Sequence, residues 1–151
     1  MSLHPHKLSN FMQRPWQDKI LVGHACMVLG LSRFAALLIP MRHLTSFFGT
    51  HMLETSQDAP LEHLREAKRI AWAINSISPY TPWKSNCYAQ AMSAKYFLSR
   101  KGIPCTLYLG AAFKKNGEKG LEAHAWVRCG PLYVTGGKGH TQFGTVGIFG
   151  S

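Results

Sequence analysis

The sequence predicts an α+β fold in which a helical amino-terminal region packs on a carboxy-terminal antiparallel β-sheet. Three observations predict it. Apolar residues recur at helical spacing up to Leu98, strand-like alternation begins at Pro104, and glycine- and proline-marked turns separate the alternating runs. With 151 residues, 46% hydrophobic and 16% charged, the chain is long enough to bury a core and too apolar to be disordered. A single domain over 17–151 is expected behind a short arm, with 17–78 as its helical part and 79–151 as its core.

The elements follow in order. Residues 1–16, "MSLHPHKLSNFMQRPW", are polar and proline-broken, read as a flexible arm, and lack a secretory signal pattern. Residues 17–38 read as one long helix, apolar nearly all round and ended by Pro40. His24 and Arg33 interrupt this run into pieces shorter than the ~20 residues of a spanning helix. A buried helix is therefore expected, with peripheral membrane contact through Arg33 and Arg42 as the minor alternative. "MRHLTSFFG", 41–49, is a short helix stopped at Gly49, with Phe47 and Phe48 facing the core. Residues 50–60 form a polar connection. Pro60 opens a helix over 61–78 whose Leu61, Leu64, Ala67, Ile70, Ala71, Ile74 and Ile77 recur on one side. "PYTPW", 79–83, breaks it. The next helix follows Cys87, carries Ala91, Ala94 and Leu98 on one face, and ends at Gly102, a left-handed cap. Strands are expected over 104–113, 123–130, 131–137 and 142–150, the middle pair as a hairpin, with an Asn-Gly turn in 114–120.

Charge and cysteine usage narrow the class. A net charge of +10 favours an anionic partner, which nucleic acid, a membrane surface or an acidic peptide all satisfy. The cations are scattered and no RNP, KH or zinc-finger pattern occurs, so nucleic acid is not expected. Cys26, Cys87, Cys105 and Cys129 are widely spaced, which argues for reduced thiols in a cytoplasmic protein rather than a disulfide scaffold. Metal-ligand spacing is lacking, and neither a metal nor a cofactor is expected.

The chemistry concentrates in "PWKSNCYAQAM" and "EAHAWVR". A cysteine at a helix start lies beside free backbone N–H groups and the positive end of the helix dipole, where a thiolate is favoured. It becomes a catalyst only with a base nearby, and His124 is the candidate. Alternation puts His124, Trp126 and Arg128 on one face of their strand, with Ala123, Ala125 and Val127 on the other. If the small residues face the core, His124 projects outward beside Trp126. Buried filler is the competing reading of a cysteine, and a structural role that of a strand histidine.

Those two segments, taken with "LSRKGIPCTLYLGAAF" and "CGPLYVTGG", resemble the transglutaminase-like, papain-related leader peptidases of lasso peptide biosynthesis. W-x-x-x-C, L-x-x-x-G-I-P, L-x-L-G and A-H-A-W occur in the family's order across roughly 79–149, and the helical 17–78 is similar in length and character. The resemblance implies a transglutaminase-like, papain-like core and a cysteine peptidase that removes the leader from a ribosomally made precursor. It also implies a separate leader-recognition protein as partner, and a separate ATP-dependent lasso cyclase acting on the product. Cys87 matches the nucleophile and His124 the base. An acyltransferase using the same pair, or a non-enzymatic basic binding protein, are the alternatives.

The chain departs from the pattern at the third catalytic position. An orienting Asp or Asn is expected on the strand after the histidine, yet no Asp, Glu or Asn follows Glu122. Thr135, Gln142 or a backbone carbonyl are the candidates nearby for holding His124, with an orienter from elsewhere in the fold or a working Cys–His dyad as the alternatives. A neutral partner stabilises an imidazolium less than a carboxylate does, so weak intrinsic activity dependent on the partner is expected. The Cys87 N–H is the first expected oxyanion donor, with Trp83, Ser85 or Asn86 as a second. Trp126 is expected to wall the site or the core, and Gly136 and Gly137 to let substrate backbone approach or simply to turn. Cys105 reads as filler and Cys129 as an exposed thiol at the hairpin.

Overall fold

Prolines stand immediately before three helix starts. In the computed structural model, which describes residues 11–115 and 119–151, Pro15 precedes α1 (Trp16–Leu38), Pro40 precedes α2 (Met41–Leu44) and Pro60 precedes α3 (Leu61–Ile77). Helix α4 (Cys87–Arg100) starts differently, on a side-chain cap: Asn86 Oδ1 accepts the Ala89 N–H at 3.0 Å. It ends as expected at Gly102, whose φ of +64° closes the chain back so that Ile103 N donates to Leu98 O at 3.0 Å.

The remainder is a five-stranded antiparallel sheet of β1 (Thr50–His51), β2 (Thr106–Phe113), β3 (Leu121–Cys129), β4 (Leu132–Thr135) and β5 (Gly144–Gly150), ordered β1-β5-β2-β3-β4. The expected α+β segregation is thus the observed one. The short β1 lies where a polar connection is expected; it pairs with β5 although its side chains are exposed. Backbone pairing and the His51 ring against Phe149 hold it, and two residues leave no alternation to read. The Asn116-Gly117 turn lies outside the described residues, as do residues 1–10 of the expected arm. Phe11 is helical and packs against the core, and Trp16 already belongs to α1.

One apolar cluster joins the helices to the sheet. Leu29 of α1, Ile70 and Ile74 of α3, Ala91, Ala94 and Leu98 of α4, and Leu107, Ala125 and Val127 of the sheet are all buried in it. Helices α1 and α4 approach closely through small residues, with Ser32 and Ser93 hydroxyls 3.1 Å apart. Phe48 is fully buried, edge-on to Tyr88 and Phe149.

Four expectations are corrected by the packing. Phe47 is exposed: a 3₁₀ turn at Thr45–Phe47 rotates it away from the core that Phe48 enters. Cys129 is fully buried, because β3 runs on to this residue before the Gly130 turn. Leu61 is exposed, lying in the first turn of α3 ahead of the packed stretch. And α1 is not buried all round. Val22, Ala25, Val28, Leu29 and Ser32 face inward, while Ile20, Leu31 and Phe34 face outward.

Burial of a charged group type marks the seam between α4 and the chain end. Lys95 is 1% exposed, and its Nζ donates to Cys105 O at 3.2 Å and Ser151 Oγ at 2.6 Å, with Cys105 Sγ at 3.5 Å. Burial holds this amine below the ordinary lysine value of 10.5. The folded protein therefore binds fewer protons here than the unfolded chain at any pH between the lowered value and 10.5. Stability should rise with pH through that window as the unfolded chain loses the same proton. Lys95→Met should lack this slope, so urea midpoints of wild type should gain on those of the variant as pH rises toward 10.5. Parallel pH profiles of the two proteins would contradict the assignment.

Candidate active site

Cys87 is the first residue of α4, and the chain leading to it is fixed by short polar contacts. Thr81 Oγ1 contacts Ser78 O at 3.0 Å, Trp83 O at 2.9 Å and Ser85 Oγ at 2.7 Å, while Gln90 Nε2 donates to Ser85 O at 2.8 Å. Trp83 lays its indole against Gly30 of α1; a Cβ on that glycine would stand 2.9 Å from the ring. The indole Nε1 is buried without a partner. Trp83 therefore anchors this turn to α1. Asn86 spends its side-chain oxygen on the helix cap. As the first helical residue, Cys87 has a backbone N–H with no intrahelical acceptor.

His124 stands on β3 opposite Gly110 of β2. Its Nε2 lies 2.7 Å from Gly136 O. A carbonyl oxygen only accepts, so Nε2 carries the proton and Nδ1 is left as the acceptor nitrogen. The ring is stacked on Phe143 (centroids 4.9 Å) and on Trp126 (5.7 Å). Of the three orienters the sequence leaves open, the backbone carbonyl holds the position. Thr135 Oγ1 is buried without a partner, and Gln142 Oε1 accepts from Lys115 Nζ.

Cys87 and His124 line one cavity of about 430 Å³, together with Asn86, Tyr88, Leu109, Gly110, Ala111, Ala123, Ala125 and Val146. Ala36, Ile39, Met41 and Leu44 close its other side. The cysteine is half-buried. Both residues line this cavity and no hydrogen bond joins their side chains; the imidazole itself stacks with Phe143 and Trp126, on the side of β3 opposite the buried Ala125. Tyr88 also lines it, its hydroxyl buried and unpartnered; burial raises the phenol above the ordinary value of 10.0 and keeps it a proton donor.

The face carrying His124, Trp126 and Arg128 is not open to solvent. Alternation places Ala125 and Val127 in the core, but Ala123, expected on the same core face, is exposed near the start of β3, and Trp126 and Arg128 are also buried under a second, polar layer. Trp126 is stacked on Tyr108 at 5.4 Å. The Arg128 guanidinium bonds Tyr108 Oη, Glu54 and the carbonyls of Thr55, Ser56 and Gly130, which clamps the 54–56 segment over the sheet. Trp126 and Arg128 line a separate cavity of about 380 Å³ with Glu54, Tyr133 and His140, so Trp126 backs His124 without walling the Cys87 cavity.

Gly136 has a role the sequence reading misses. Its φ is +68°, and a Cβ there would stand 2.3 Å from Ala125 O and 2.9 Å from Trp126 Cβ. The close approach is between parts of this chain, not toward a substrate, and it delivers the carbonyl to His124. Gly110 is comparable: a Cβ would meet Trp126 at 2.7 Å and Phe143 at 2.9 Å. Its signal is the glycine inside an otherwise regular strand, L-x-L-G. Thr81, Ser85, Gln90 and Phe143 carry no pattern that marks them.

The family model described as Transglutaminase-like superfamily matches residues 35–147, a span that includes Cys87, His124 and Gly136. No curated protein and no solved structure matches the chain.

The Gly136 arrangement is testable by itself. In wild type, ¹⁵N shifts of the His124 ring should report the Nε2–H tautomer. Gly136→Ala should lose that preference and about 1–3 kcal/mol of stability. Thr135→Ala and Gln142→Ala should leave the ring signals in place. If either of these two moves them and Gly136→Ala does not, the carbonyl is not the orienter.

Proposed function

The chain belongs to the transglutaminase-like superfamily, which includes cysteine peptidases and acyltransferases, and we propose that it is a cysteine endopeptidase cleaving the leader from a ribosomally made lasso peptide precursor. The observation that carries this reading is one cavity presenting Cys87 at a helix start and His124 on an adjoining strand. The order of the W-x-x-x-C, L-x-L-G and A-H-A-W elements supports the substrate class. A leader-recognition protein delivers the precursor, and the ATP-dependent cyclase consumes the product. The reaction takes place in the cytoplasm and uses no cofactor.

In this mechanism His124 takes the Cys87 proton on Nδ1 while Nε2–H stays on Gly136 O. The sulfur attacks the carbonyl at the leader–core junction, forming a C–S bond. The Cys87 backbone N–H stabilises the oxyanion. His124 then protonates the departing amine, and water hydrolyses the thioester. A carbonyl dipole supports the imidazolium less than a carboxylate charge does. Turnover is accordingly slow until bound substrate and partner bring sulfur and imidazole into contact.

The test is incubation with a precursor peptide, with and without the recognition protein, followed by mass spectrometry. Wild type should yield two fragments whose masses sum to precursor plus one water, faster with the partner. Cys87→Ala and His124→Ala should each lose about a thousandfold or more in rate. Amide exchange with an added amine, in place of hydrolysis, would assign the acyltransferase chemistry. Cleavage that survives Cys87→Ala would remove this site from the reaction.

A further inference from the structure

The outward side of α1 is an apolar stripe that stays exposed among the described residues. Trp16, Ile20, Met27, Leu31, Phe34 and Leu38 are each 57 to 66% exposed. They are spaced by three, four or seven residues, which aligns them along one side of a helix about 34 Å long. No polar side chain interrupts the row. The helix is long and apolar enough to cross a membrane, with mean hydropathy 1.7 in its best window, of which only 28% is buried. It does not cross one here, because its opposite side (Val22, Ala25 and Leu29) belongs to the protein core.

The surrounding charge says what covers the stripe. Between residues 11 and 53 the cations are Arg14, Lys19, Arg33 and Arg42, and the one acidic residue is Asp18. Asp18 turns inward and is spent on Arg69 at 2.7 Å and Arg14 at 3.4 Å. Arg33 flanks the stripe and Arg42 follows its end. A second copy laid on this face would set cationic rims against each other, in a protein whose net charge is already +10. An anionic lipid surface accepts both the apolar row and the cations around it.

We propose that α1 seats the protein on an anionic membrane surface, lying flat with its outward row sunk to the headgroup–acyl boundary. Ile39 and Met41, just beyond the helix, line the Cys87 cavity, so the bound orientation sets that cavity close to the lipid surface. The proposal does not depend on what the cavity cleaves.

Vesicle co-sedimentation tests it, comparing phosphatidylcholine alone with phosphatidylcholine mixed with phosphatidylglycerol. Wild type should pellet with the mixed vesicles and stay in solution with the neutral ones, and added salt should weaken the association. The double variant L31E/F34E should bind at least about tenfold more weakly at an unchanged thermal midpoint, since both side chains are exposed. Brominated lipid should quench wild-type tryptophan fluorescence more than that of Trp16→Phe, a comparison independent of how the charged variant folds. Failure of wild type to pellet, or equal pelleting by L31E/F34E, overturns the proposal. So does a concentration-dependent dimer of wild type that the double variant abolishes, which would give the stripe to a second copy.

Discussion

The candidate site depends on the start of α4 being held in one place. The Asn86 cap closes the first turn of the helix, and Thr81, Ser85 and Gln90 lock the chain that enters it. Trp83 ties the same turn to α1 by filling the space over Gly30. None of these contacts involves the sulfur. Their combined effect is that Cys87 and a free backbone N–H stand together at the edge of a cavity, with the orientation fixed before any ligand arrives. Preorganisation of this kind is what lets a helix start act on a developing anion without reorganising at the moment of reaction.

The sheet solves the complementary problem for His124 in an unusual way. No Asp, Glu or Asn follows Glu122 and Gln142 is taken by Lys115, so the ring is held by a backbone carbonyl, and the backbone can reach it only because Gly136 has no Cβ. Gly110, across the ladder, gives Trp126 and Phe143 room to close over the strand beside the imidazole. Two glycines thus do what a side chain would otherwise do, one by admitting a turn and the other by admitting rings. The register shifts between Leu109 and Gly110 and between Val127 and Arg128 lie at this same part of the sheet. Bulges there re-aim strands around the histidine.

The second layer over the sheet gives Arg128 a structural function. Its guanidinium gathers Glu54, Tyr108 and three carbonyls, so a chain segment without regular structure is pinned to the sheet. A buried guanidinium is stable only when its donors are satisfied, and the carbonyls do most of that. The same layer separates the two cavities, because Trp126 stacks against His124 on one side and Tyr108 on the other.

Helix and strand periodicity, the Gly102 cap, and the order of the Cys87 and His124 segments were legible from the residues alone, because they are local or periodic properties of the chain. Alternation placed Ala125 and Val127 in the core, though Ala123, expected beside them, is exposed. What no local pattern carries is which surface another element covers. Phe47 and Phe48 are adjacent and alike, yet a 3₁₀ turn sends one outward; Cys129 sits beside a turn, yet the strand buries it; α1 reads as apolar throughout, yet the fold covers only one side. The partner of His124 was likewise beyond sequence reading, since a carbonyl has no residue identity and its position is set by a turn, a bulge and a missing Cβ acting together. Sequence determined the elements and the reactive groups; tertiary packing decided which groups meet and which faces remain open, because burial and hydrogen bonding across the fold are properties of distance in space.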